Sequence, residues 1–573
     1  MDEETGATVF TNANVVTCDG AGRLARALAV EAGRILAVGD EESVAAQAPD
    51  GARRVDLDGA TVLPGFIDTH PHLMHFGALA EPLVDLTDAR SYEDIVARIA
   101  KRAADTPPGE WIMTTPVGEP HYFIRRSFRD LAEGELPDRA VLDRAAPDHP
   151  VLIQAWAPVT PNVCAMNSPA LRRLGIDADL PDVMDHVWIE KDAAGEPTGR
   201  LRGSVTNYYN DSPFFNGLLR QLPMLQPDAV VPGTERAMRS FNGMGVTTVY
   251  EAHLMPFTLI ELYRWMRAEG RLTVRVQCAP EAEPFGTPWT EGPLELDEYG
   301  QRLAQARALV DRSDDLFRID GVTVSRYVPC WPGLTLMREP YLGPYGELTT
   351  GRSFVGPEKI EQAIRYCHER GLRLNLVTAG TGENDTHLAQ LEALGQAPLA
   401  ADGRAWLLQN LYFAEPEQLR RYAALGFDVT TSMSFSWGKG DMIRERLGEH
   451  VLPDLIPLSR LLDYGLHVGC GTDWGPKNVF EHLALAVEPR YAAGGRAAAT
   501  TGVTRRQALA MWTRDAAHIL RWDGIGSLEP GHHADLVIVD RDPLTCPIDD
   551  LPGTTVIATL LAGRTVAGTE QLT

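Results

Sequence analysis

The chain has 573 residues, with 53 Lys plus Arg against 78 Asp plus Glu and a formal charge of −25. That balance repels phosphate backbones and anionic lipid, which argues against nucleic acid and membrane surfaces as partners. A hydrophobic fraction of 44% and a charged fraction of 23% fit a globular protein long enough for more than one structural unit. The start, Met1-Asp2-Glu3-Glu4, lacks the basic and apolar run of a secretory signal, and no run of about 18 apolar residues reads as a membrane span. The seven cysteines are scattered and never in CxxC spacing, which excludes a disulfide framework and fits a cytoplasmic location.

In chain order, residues Thr8 to Leu63 read as short β runs separated by turns. The stretches GSLEPGHHADLVIVD and TTVIATLLAGRTVAG near the other end have the same character, so the two ends are expected to meet in one small β-sandwich. The middle alternates apolar β runs with helical patterns, the signature of a parallel sheet flanked by helices. Eight candidate strands stand out: VLPGFIDTH, GVTTVYEAH, TVRVQCA, FRIDGVTVS, RLNLVT, AWLLQNL, DVTTSMS and HVGCGTDW. Eight such units predict an α/β protein built on a (β/α)₈ TIM barrel, with its chemistry at the C-terminal strand ends. The expected domains are residues 1–63 with 525–573 as the sandwich and 64–524 as the barrel. An insertion of about 75–221, too long for one crossover, is expected to cap the barrel mouth.

The sharpest local signal is Pro64-Gly65-Phe66-Ile67-Asp68-Thr69-His70-Pro71-His72. Histidines at i and i+2 on an extended strand point to one side and can grip one divalent ion; in an ordinary loop they would do nothing of the kind. Asp473, at the end of the last candidate strand, is placed to ligate a metal or accept a proton from water, although an aspartate there can also cap a turn. Closure of a barrel would set it beside His70 and His72. Glu251 and His253 end the second strand and are further candidates for metal or substrate. Arg326, Tyr327, Asn410 and Trp474, near other strand ends, are candidates for substrate contact, Arg326 through bidentate binding of a carboxylate. Cys330 has no evident partner to activate it. His387, His450 and His518 fall on helical stretches and read as solvent or packing positions.

With these motifs in this order, the chain resembles the amidohydrolase superfamily, in its family 3 subgroup that includes N-substituted formamide deformylase. LPGFIDTHPHL is similar to the first-strand metal motif, FNGMGVTTVYEAH to the second strand and GTDWGP to the last-strand aspartate motif. MNSPALRRLGI and AAGEPTGRLRG resemble the inserted region, and TRRQALAMWTRDAAHILRWDGIGSLEPGHHADLVIVDRDPL the C-terminal signature. The resemblance implies metal-activated water attacking an amide, formamide or imide, with His70 and His72 as ligands and Asp473 as ligand and general base.

The chain also departs from the family's pattern. Thr323 stands where a bridging lysine is expected, and Val377 or Thr378 where the fifth strand supplies a histidine. Asn410 or Gln409 replaces the sixth-strand histidine, and Asn162 one in the insertion. Without those donors a binuclear centre is not expected. One divalent ion, zinc ahead of iron or manganese, would suffice, since three protein ligands and water make a catalytic site. The expected activity is hydrolysis of a C–N bond in a small molecule. A lyase, decarboxylase or isomerase with one metal or none is the alternative, and a non-catalytic relative a third. A homodimer is the default assembly.

Overall fold

The computed structural model describes residues 6–568 except 81, 119–125, 156–159, 208, 211, 225, 285–292, 326–332, 396–404, 474–477 and 493–500. Its centre is built from nine short strands: β1 (Phe66–Asp68), β2 (Val246–Glu251), β3 (Arg275–Cys278), β4 (Phe317–Ile319), β5 (Val322–Ser325), β6 (Leu374–Thr378), β7 (Leu407–Asn410), β8 (Asp428–Thr431) and β9 (Val468–Cys470). All pair in parallel, as expected of strands that alternate with helices. Each candidate strand read from the sequence contains one of them. The fourth is broken at Asp320-Gly321 into β4 and β5, where Gly321 takes φ +89°, a left-handed conformation open to glycine at little cost.

The ladder is not one continuous ring. The strands form two sheets, ordered β4-β3-β2-β1 and β5-β6-β7-β8-β9. Pairs of backbone hydrogen bonds link them at both seams. At one, the Thr323 amide donates to the Pro280 carbonyl (2.8 Å) and the Ala282 amide to the Thr323 carbonyl (3.0 Å). At the other, the Thr69 amide donates to the Cys470 carbonyl (3.3 Å) and the Asp473 amide to the His70 carbonyl (2.7 Å).

The outer helices carry their own start and stop signals. The helix Pro357–Arg370 begins after Gly356 with proline in its first turn and ends at Gly371 in the left-handed conformation. It buries Ile360, Ala363, Ile364 and Cys367, the spacing of a single helical face.

Both chain ends enter one six-stranded sheet, in which Thr61–Pro64 pairs antiparallel with Leu536–Val539. A four-stranded sheet of Thr8–Thr11, Ala27–Glu31, Arg34–Gly39 and Arg53–Asp56 faces it. Phe10, Leu28 and Ile35 from one sheet meet Val15, Val62, Leu536, Ile538 and Leu560 from the other in a shared apolar core. Arg275 at the start of β3 ties this unit to the central strands. Its Nε and Nη2 lie 2.6 and 2.9 Å from the carboxylate of Asp535, with both side chains buried. Loss of one partner of such a pair costs about 3–5 kcal/mol, because a buried charge is left behind.

Between β1 and β2 the chain builds a separate six-stranded sheet from segments at Ile112–Thr114, Val151–Ile153, Asn162–Met166, Val183–Met184, Val187–Lys191 and Pro197–Gly203. Along Pro197–Gly203 buried and half-buried residues alternate, as the two-residue period of a strand requires. Two apolar clusters pack against this sheet, one around Leu152, Leu201 and Phe215 and one around Ile95, Leu142 and Ile153. Among the described residues no helix is long and apolar enough to cross a membrane.

Candidate metal centre

β1 ends at Asp68, so His70 and His72 do not lie on an extended strand. The two-residue strand period expected to converge them therefore does not apply. A turn converges them instead: His72 adopts φ +47°, and its Nε2 comes to 3.1 Å from that of His70. Asp473, after β9, is left-handed as well, at φ +50°. Non-glycine residues held in this region cost on the order of 1–3 kcal/mol each, and such strain collects at functional sites.

Asp68 clamps the two loops together. Its carboxylate accepts the His70 amide (3.0 Å), the Thr472 amide (3.2 Å) and the Thr472 hydroxyl (2.7 Å). Gly471 makes the close approach possible, since a Cβ there would stand 2.5 Å from the His70 nitrogen. As a result Asp473 Oδ1 lies 3.5 Å from His72 Nε2 and Oδ2 lies 3.8 Å from His70 Nε2. All three side chains are buried, and their ligand atoms lie within 4.8 Å of one another.

The donor set fits a divalent ion. Two donors about 2.1 Å from a tetrahedral ion stand about 3.4 Å apart. The separations of 3.1, 3.5 and 3.8 Å bracket that value.

Glu251 and His253, both at the end of β2, go different ways. Glu251 Oε1 accepts the Met74 amide (3.0 Å) and the Tyr263 hydroxyl (2.8 Å), which fixes the start of the helix after the histidines. Burial pushes its carboxyl up to about 7. The His253 ring stands 5.6 Å from each of the His70 and His72 rings. Its Nδ1 lies 3.3 Å from Glu281 Oε2, and its Nε2 is 2.7 Å from the Tyr209 hydroxyl. Glu281 is held in turn by the Leu254 amide (2.6 Å) and the Ser325 hydroxyl (2.5 Å). His75, whose ring is 6.1 Å from that of His72, is kept neutral because burial pushes its pKa down to about 3, with a smaller contribution from His253.

Sequence reasoning missed Asp68, His75, Tyr209, Glu281 and Ser325. Asp68 and Glu281 carried a usable signal, since each is a carboxylate at or just beyond a strand end. Tyr209 carried none, being far along the chain inside the insertion.

At the positions that depart from the family's pattern, Thr323, Gln409 and Thr378 form neutral side-chain hydrogen bonds. Thr323 Oγ1 bonds to the Ala252 carbonyl and accepts from Asn375 (3.3 Å) and Gln409 (3.4 Å). Thr378 donates to Asn384 (2.5 Å), and Val377 is buried. Asn410, at φ +70°, accepts the Thr431 hydroxyl on its carbonyl (2.7 Å). Asn162 begins a strand of the inserted sheet, opposite Gly203. Arg326, Tyr327 and Trp474, expected to contact substrate, lie outside the described residues, as does Cys330.

A model of the amidohydrolase family matches residues 53–567. The chain belongs to that family, which includes hydrolases that act on C–N bonds other than peptide bonds. It is 28% identical over 574 residues to N-substituted formamide deformylase from Arthrobacter pascens, with 97% of each chain covered. Its fold is similar to that of an uncharacterized metal-dependent hydrolase from Pyrococcus horikoshii, at TM-score 0.71 and 21% identity over 95% of this chain and 99% of that one. It is also similar to atrazine chlorohydrolase TrzN from Arthrobacter aurescens complexed with zinc, at TM-score 0.51 and 16% identity over 97% and 94%.

Proposed function

We propose that this protein hydrolyses the C–N bond of a small amide, formamide or cyclic imide at a mononuclear centre held by His70, His72 and Asp473. The observation that carries the reading is the convergence of these three buried donors, clamped by Asp68, at spacings an ion would bridge. The neutral network of Thr323, Asn375 and Gln409 offers no anionic bridge for a second ion, which favours one ion over two. The relationship to N-substituted formamide deformylase supports an amide-like substrate. The two parallel sheets, linked at both seams, are read as one (β/α)₈ barrel. The terminal sheets then form its sandwich domain, and the inserted sheet a cap over the mouth.

A divalent ion held by His70, His72 and Asp473 would supply Lewis acidity for attack of water on the carbonyl. Asp473 takes the proton of that water on a carboxylate oxygen and returns it to the departing nitrogen. Glu281 fixes the tautomer of His253 by accepting at Nδ1, which leaves Nε2 to meet the Tyr209 hydroxyl. Tyr209 belongs to the insertion, so the same hydrogen bond registers the cap against the central strands. Burial of these groups strengthens each electrostatic contact by excluding water.

The test compares wild type with His70→Ala/His72→Ala in tagless protein purified without chelator. Wild type should turn over members of an amide, formamide and imide panel. The variant should carry one ion fewer per chain and lose at least about 10³-fold in turnover. Unchanged metal content and activity in the variant would overturn the assignment. An ion lost with no turnover on any panel member would move the site to another reaction class.

A further inference from the structure

We propose that Asp428, His467 and His518 form a second divalent-metal site, at the opposite end of the central strands from the amidohydrolase centre. Asp428 is the first residue of β8, and His467 immediately precedes β9. Because Val429 pairs with Val468 in parallel, Asp428 and His467 are neighbours at the N-terminal strand ends. His518 reaches them from the helix Arg514–Leu520. The strand Val468–Cys470 lies between His467 and Asp473, and the two donor sets form separate groups, so they do not share an ion.

The geometry resembles that of the buried centre. His467 Nδ1 lies 3.3 Å and His518 Nε2 3.7 Å from the same oxygen, Asp428 Oδ1. The two ring centroids are 4.0 Å apart, with the planes tilted 38° to each other. All three ligand atoms fall within 4.8 Å of one another. Two imidazole nitrogens and one carboxylate oxygen suit a borderline ion such as zinc, cobalt, nickel or copper over magnesium or calcium. Asp428 is buried while the histidines are 53% and 50% exposed, so an ion could enter from solvent and keep water in its remaining positions.

Such an ion would staple the helix Arg514–Leu520 to the starts of β8 and β9. β9 leads into the loop of Asp473, yet the two donor sets are separate groups. A total of two ions per chain would therefore not mean a binuclear active site. This inference does not depend on the proposed reaction.

The experiment is a zinc titration of metal-free, full-length protein, with bound ion counted by mass spectrometry after gel filtration. Four proteins are compared: wild type, His70→Ala/His72→Ala, His467→Ala/His518→Ala and the quadruple variant. Wild type should bind two ions, each double variant one, and the quadruple variant none. Zinc should raise the melting temperature of His70→Ala/His72→Ala by a few degrees, and that rise should vanish in the quadruple variant. Circular dichroism checks that the half-exposed lower substitutions leave the fold intact. An isotherm for His467→Ala/His518→Ala that superimposes on that of wild type overturns the proposal, whatever the upper variant does. Loss of an ion from the lower variant alone, with none lost from the upper, would sustain this site and sink the catalytic assignment.

Discussion

Two sets of two imidazoles and one carboxylate sit at opposite ends of the same parallel strands, and they differ chiefly in solvent. Above, His70, His72 and Asp473 are all buried and locked by Asp68 and Gly471. Below, only Asp428 is buried, and the two histidines are about half exposed. The carboxyl groups show what this does. Burial dominates at Glu251, beside the upper set, and pushes it up to about 7. Asp428 is held well below the usual carboxylate range: burial would raise it, but hydrogen bonds from His467 and His518, helped by the charge of Arg373, outweigh that. The same donor types thus make a dry pocket suited to strong Lewis acidity and a wet one suited to reversible binding.

The largest expected break in this contrast is at Asp473. Asp473→Asn keeps the shape but removes the proton acceptor, and turnover should fall about 10²–10⁴-fold with the lower ion retained. Steady-state kinetics with metal counting checks both.

Glu251→Gln should show next. In the wild type the folded state holds this proton more tightly than the unfolded chain, so stability is lost as pH rises from about 4.5 through about 7. A shift of that size corresponds to on the order of 3 kcal/mol. Glutamine keeps an acceptor for Met74 and Tyr263, and denaturant midpoints between pH 5 and pH 8 should flatten.

Asp68→Ala frees both upper loops without removing a ligand. Metal affinity of the upper site should drop about 10–100-fold, as is usual for groups that orient ligands, while the lower site is unchanged. Competition with a chromophoric chelator reads the difference. The smallest effect sharpens the contrast: a brief chelator pulse should strip the half-exposed lower ion first and leave turnover intact.

Much of the central architecture was legible because parallel strands buried on both faces read as apolar runs, and each of the nine central strands falls within a run found in the sequence. His70, His72 and Asp473 were legible as a chemical pattern, but the backbone that joins them was not. The strand stops at Asp68, and a left-handed His72 does what extended alternation was expected to do. Glu281, Ser325 and Tyr209 meet around His253 from three distant segments, and no local spacing records that. The lower cluster was hidden for the same reason. His518 looked like a solvent or packing position on its helix, and only the tertiary fold sets it on Asp428 beside His467.

The antiparallel pairing of Thr61–Pro64 with Leu536–Val539 has a consequence for biosynthesis. The first strand of that pair leaves the ribosome long before its partner is made. Asp473 likewise arrives long after His70 and His72, so no complete upper donor set exists on a half-made chain. Loop closure across so much sequence is slow, and an apolar strand left unpaired meanwhile is a template for aggregation. A nascent chain stalled before residue 536 should therefore engage chaperones strongly and release them once its closing strand emerges.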